Sequence, residues 1–155
     1  MWALATGPLR AFNERDTFVM EKVQPVALLI TRVIVGIIFI VHGWEKFTSI
    51  DATTAFFKSA QVPLPGVSTL AAAALELVGG VALVLGLLLP VFGTLLVLDM
   101  LLAIFFVHAS KGFWVSQGGY EFVLALAAAT VAIAYSGGGA LAVDSLWRRG
   151  REAQR

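Results

Sequence analysis

Four apolar stretches recur along this chain at about the length a lipid bilayer demands, and that pattern limits what it can fold into. Residues 26–47, 68–89, 91–108 and 120–136 each read as a run of Val, Ile, Leu, Phe and Ala, and a spanning helix needs roughly 20 such residues. Composition agrees. The chain is 59% hydrophobic and 14% charged, with a mean hydropathy of +0.87, whereas a soluble domain carries about 25% charged residues. Too few polar groups are left to cover a water-facing surface. The expected fold is therefore all-α, an integral membrane four-helix bundle.

Charge placement predicts its orientation. Arg10, Arg15 and Lys22 precede the first span, and Arg148, Arg149, Arg151 and Arg155 follow the last, whereas the intervening loops on the other side carry Lys46, Lys58 and Lys111. Positive charge is retained on the cytoplasmic side, so both termini are expected there. Residues 1–23 are read as a cytoplasmic N-terminal segment, 24–146 as the membrane domain and 147–155 as a basic cytoplasmic tail. Met1–Val23 lacks the compact apolar core and cleavage site of a signal peptide, so the first span is read as an uncleaved anchor. Pro90 is expected to separate the second and third spans, and "SGGG" at Ser136–Gly139 to end the fourth. Asp51 is expected to cap a short helix in the first outer loop, with Phe56 and Phe57 toward the membrane.

Charges inside a span are costly and mark function by default. Counting about 1.5 Å per residue, Arg32 and Asp99 both fall roughly 12 Å in from the cytoplasmic side, which predicts a helix-locking Arg32–Asp99 ion pair. "VHGWEKF", Val41–Phe47, ends the first span with His42, Glu45 and Lys46 along one helical face. His108 ends the third span and Glu121, beside Tyr120, begins the fourth. Glu76 lies within the second, with Gly79 and Gly80 one turn on. Together these residues predict a polar cluster in the outer half of the bundle, with Lys46 as countercharge for Glu76 or Glu121. Trp44 is read as an interfacial anchor. The chain has no cysteine, which excludes disulfides and thiol redox chemistry, and its net charge of +1 offers nothing to nucleic acid.

"HGWEK" (His42–Lys46), "ELVGG" (Glu76–Gly80), "HASKGFW" (His108–Trp114), "GGYE" (Gly118–Glu121) and "GGGALAVDSL" (Gly137–Leu146) resemble, in order and spacing, the motifs of DoxX/DoxD-like membrane proteins. The resemblance implies a four-helix bundle in the bacterial inner membrane, related to the small subunit of thiosulfate:quinone oxidoreductase and associated with quinone-linked electron transfer or redox homeostasis. It singles out His42, Lys46, Glu76, His108, Tyr120 and Glu121 as cofactor-binding positions, with no metal site. In the closing motif Asp144 precedes Ser145, which departs from the family's usual G-P-G-x-x-S-L-D order.

Four functions are expected from these features. In the first, a quinone carbonyl takes a hydrogen bond from His42, Lys46 or His108 while Glu76 and Glu121 relay protons, with electrons supplied by a partner. In the second, the chain is a non-catalytic accessory subunit of a larger respiratory or other membrane complex, or a homo-oligomer, and the cluster sets helix register. In the third, His42 and His108 ligate haem b. In the fourth, the charges line a transport path, but four short helices without an inverted repeat leave little room for alternating access.

Overall fold

The computed structural model describes residues 14–145, with side chains from Glu21 onward. Every regular element among them is helical: α1 (Glu14–Thr48), α2 (Ile50–Ser59), α3 (Pro65–Leu85), α4 (Leu89–Ala103) and α5 (Glu121–Ser136), with a π-helical turn, Ile104–His108, continuing α4. Glu21–Thr48, Pro65–Leu85 and Leu89–Lys111 are long and apolar enough to cross a bilayer. α5 is equally apolar but has 16 residues, about 24 Å, less than the hydrocarbon thickness of about 30 Å. α1 packs on α3 and α4 on α5, and contacts of α3 with α4 and of α1 with α5 close the four-helix bundle. Its outward faces carry large exposed apolar side chains, among them Ile30, Ile34 and Ile37 on α1, Leu98 and Leu102 on α4 and Phe105 on the π turn.

Lipid is as apolar as a leucine side chain, so these helices gain little from hiding apolar surface and must instead approach closely. Small residues permit it. A Cβ on Gly36 would stand 2.7 Å from the Gly80 carbonyl oxygen, and one on Gly43 would stand 2.9 Å from the Ala73 carbonyl. Gly93 gives α5 the same access to α4, where its Cβ would come within 2.6 Å of the Ala134 Cβ. α2 lies outside the ring against α3 and buries none of its residues. Ser49 precedes α2 and Asp51 sits inside its first turn, so the expected Asp51 cap is not formed.

The α3–α4 hairpin turns earlier than Pro90. α3 ends at Gly86, in the left-handed conformation (φ 69°), with the Gly86 and Leu87 N–H groups donating to Leu83 and Ala82. Pro90 falls in the first turn of α4, where a missing N–H costs nothing. The segment after α5 folds back across this hairpin. The Asp144 carboxylate accepts hydrogen bonds from Leu88 N–H (2.8 Å) and Leu89 N–H (2.9 Å), and the Asp144 N–H donates to the Gly86 carbonyl (3.0 Å). A carboxylate at a helix N-terminus satisfies otherwise unpaired donors and meets the positive end of the helix dipole. "GGGALAVD" is therefore a seal over this end of the bundle as well as a helix stop.

Arg32 belongs to that seal, and the expected Arg32–Asp99 pair is not formed. Arg32 is 2% exposed, its Nη2 donates to the Ala140 carbonyl (3.0 Å), and its Nη1 occupies the space a Cβ on Gly86 would need. The Ala140 N–H in turn donates to the Pro25 carbonyl (2.9 Å). Helical side chains lean toward their N-terminus, so the long guanidinium reaches back to the hairpin turn. Asp99 lies ten residues beyond Leu89, about 15 Å further along α4. The charges that predict orientation, Arg10, Arg148, Arg149, Arg151 and Arg155, lie outside the described residues. Asp144→Ala should lower stability by about 1 kcal/mol, as loss of a helix cap does, and Asp144→Asn, which keeps one acceptor, by less. Thermal unfolding in detergent checks the order.

Candidate functional site

The close α1–α3 crossing determines what its neighbours touch. Lys46 sits three residues beyond Gly43, which abuts Ala73 and Leu77, and this brings it to Glu76 on the facing turn of α3. Lys46 Nζ donates to Glu76 Oε2 at 2.7 Å. Glu76 is 4% exposed. On the other side of α3, Gly79 presses against Leu96 of α4, a Cβ there standing 3.0 Å from Leu96 Cδ1. Three residues back along α3 and three forward along the antiparallel α4, Glu76 and Asp99 come to the same level and both line one cavity. A Lys46–Glu76–Asp99 cluster, with Glu76 buried and the other two half-buried, thus joins α1, α3 and α4.

The cluster forms one wall of a cavity of about 740 Å³, within the range of small-molecule sites. Its other walls are apolar: Phe39 from α1, Phe56 and Phe57 from α2, Ala72 and Leu75 from α3, Leu98 and Phe106 from α4 and its π turn, and Val123 and Leu126 from α5. His42 also lines it, with its ring tilted against Phe122 at a centroid distance of 6.3 Å. His108 lines it from the end of the π turn. The Gly118 carbonyl lies 2.7 Å from His108 Nδ1 and can only accept. Nδ1 therefore carries a proton and Nε2 is the ring nitrogen without a hydrogen-bond partner among the described residues.

Four of the six expected positions, His42, Lys46, Glu76 and His108, meet at this cavity. Tyr120 and Glu121 do not. The Tyr120 ring packs edge-on against Phe113 at 5.5 Å, and the Glu121 carboxylate accepts from Val115 N–H at 3.0 Å. Both organise the loop between His108 and α5, where Tyr120 N–H and Glu121 N–H also donate to Gly112 and Phe113. A carboxylate at a helix start with unpaired loop amides next to it is satisfied locally, and so it stays out of the bundle. Phe56 and Phe57, expected toward lipid, also line the cavity, and Phe56 keeps 46% of its surface exposed. Asp99 is the member that sequence reasoning places elsewhere. Counted from the observed helix starts, Asp99 lies about 15 Å from one end and Glu76, eleven residues into α3, about 16 Å from the other. In a layer of about 30 Å they meet near the middle.

Removing one partner of a buried ion pair leaves an uncompensated charge, while replacing both by apolar groups is often neutral. Lys46→Met alone should therefore cost about 3 kcal/mol, the low end for such pairs because the lysine head is partly exposed. Adding Glu76→Met should recover most of that loss. Melting temperatures of the two variants decide whether the pair serves packing or the cavity.

With this geometry in view, likeness to other proteins is informative. The sequence profile of the DoxX family matches residues 27–109. "Putative oxidoreductase CatD" of Bacillus subtilis (strain 168) is 35% identical over 133 residues, covering 86% of this chain and 96% of that protein. Two proteins of Escherichia coli (strain K12) also match. "Inner membrane protein YqjF" is 28% identical over 82% of this chain and 96% of its own length, and "Inner membrane protein YphA" is 32% identical over 48% and 53%. No solved structure matches. The chain belongs to the DoxX family and is a multi-pass protein of the bacterial inner-membrane type.

Proposed function

We propose that the protein is a redox-associated membrane subunit whose cavity binds the head of a quinone. The observation that carries this reading is the cavity itself: an apolar chamber with a lysine, two carboxyl groups and two imidazoles on its wall. A quinone supplies the exchange of two electrons and two protons when bound. The residues present fit such a ring. Phe39, Leu75, Phe106 and Leu126 offer apolar faces, and the Lys46 ammonium, already oriented by Glu76, has donors left for a carbonyl oxygen. Glu76 and Asp99, both on the cavity wall, can hold and pass a proton next to that lysine. His108 Nε2 and the His42 imidazole stand on other walls as further proton carriers.

The chain has no cysteine, so its own side chains offer no thiol couple, and electron delivery falls to a partner protein. The relative named an oxidoreductase supports a redox setting. The accessory-subunit role is compatible with quinone binding, since a subunit can hold a quinone for a larger complex. A second reading, haem held by His42 and His108, draws on both histidines lining one cavity.

One preparation tests these together. Protein extracted in mild detergent should yield quinone on organic extraction at close to one per chain. Lys46→Met/Glu76→Met should reduce that yield by about tenfold, the loss of one good hydrogen bond to a charged donor. Equal quinone content in the two proteins defeats the reading, and a Soret band in the visible spectrum would transfer the site to haem.

A further inference from the structure

The cavity opens sideways. α3 and α4 touch where Gly79 meets Leu96, and further from the hairpin residues of both helices line the chamber, Ala71 and Leu75 on α3 and Leu98 and Leu102 on α4, with Leu95 beside the contact itself. Several of these lining residues are also lipid-facing. Leu98 is 51% and Leu102 57% exposed, and Leu95 and Ala71 are exposed as well. A residue that both lines the chamber and faces the bilayer lies on the rim of an opening between the two.

The end of the chamber away from the hairpin is roofed. Phe56, Phe57, Val62 and Pro63, from α2 and its connector, lie over it. Thr54 Oγ1 bonds Thr69 Oγ1 of α3 at 3.2 Å, and Lys111, beyond α4, stands 5.7 Å from the Phe56 ring centroid. These contacts tie the roof to α3 and to the segment after α4, and the leucine-rimmed face below it is turned toward lipid. The polar groups are arranged to match. Lys46, Glu76 and Asp99 lie at the inner wall, while the gap presents Ala and Leu.

We infer that the gap between α3 and α4 is a lateral portal, so that the ligand is a membrane-borne amphiphile whose polar head enters from the bilayer and whose apolar tail stays threaded between Ala71 and Leu98. This deepens the quinone reading and rests on it. The tail gains little energy from the portal, because lipid is an equally apolar surrounding. What the portal decides is which molecules fit: a head can seat with its tail attached only while the gap is open.

The test uses the full chain in phosphatidylcholine nanodiscs, with empty discs as blank and concentrations referred to the bilayer. The probes are dimethoxy-methyl-benzoquinone and the same ring carrying a decyl chain, with binding followed by titration calorimetry. Ala71→Trp and Leu98→Trp each put an indole in the gap from opposite sides. Val78→Trp, on an exposed position of α3 that does not line the chamber, controls for added bulk. Each gap variant is expected to weaken the decyl probe by about tenfold or more and to leave the tailless ring within about twofold, with Val78→Trp changing neither. If the gap variants weaken both probes alike, the indoles fill the chamber and the portal is overturned while the quinone reading stands. If they weaken neither, the portal is likewise overturned. Failure of the unmodified protein to bind either probe overturns the quinone reading and the portal with it.

Discussion

The contact between Lys46 and Glu76 is the interaction on which the rest of this molecule depends. Two charges placed in a low-dielectric layer are expensive to desolvate, and their attraction offsets that cost only when the helices hold them at hydrogen-bonding distance. The 2.7 Å separation is a product of backbone approach, since Gly36, Gly43 and Gly80 let α1 and α3 come closer than any side chain larger than hydrogen would allow. In this environment glycine works as a register device. It sets the vertical offset between helices and so decides which ionisable groups share a level.

The two ends of the bundle use charge differently. At the hairpin end Arg32 and Asp144 are spent on backbone groups: one guanidinium on a loop carbonyl near the C-terminus of α3, one carboxylate on the first amides of α4. Each offers its charge to the helix end whose partial charge it complements, and together they pin Gly137–Asp144 across the turn. The middle of the bundle keeps its charged groups exposed to a cavity, where nothing in the backbone consumes them. Lys46, Glu76 and Asp99 line that cavity and so remain available to a ligand.

The π-helical turn at Ile104–His108 links the cavity to the loop beyond it. A π turn inserts a residue into the helical repeat and re-aims the side chains after the insertion, and such turns are frequent at functional sites. Here it delivers His108 to the chamber with one nitrogen bonded to Gly118. Gly118 is held in turn by the Trp114–Glu121 turn network. Tyr120 and Glu121 thus support the site from outside by shaping the segment that orients His108.

Much of the fold and four of the five ionisable groups on the cavity wall are legible in the sequence, for definite reasons. Span-length apolar runs dictate helices in lipid, because every backbone donor must be satisfied within its own segment. Glycines recurring beside an in-span glutamate point to a close helix crossing with Lys46 as its partner. His42, Lys46, Glu76 and His108 emerge from counting residues down each span. The tertiary structure decides what counting cannot. Depth alone does not tell whether a long side chain lies level with its Cα or reaches back, so counting matches Arg32 to Asp99 although the guanidinium reaches the hairpin turn. Nor can it show that local amides satisfy Glu121 or that Asp144 crosses the chain to cap α4. The cavity takes lining residues from all five helices, and that is a property of helices packed in three dimensions that no one helix's sequence carries alone.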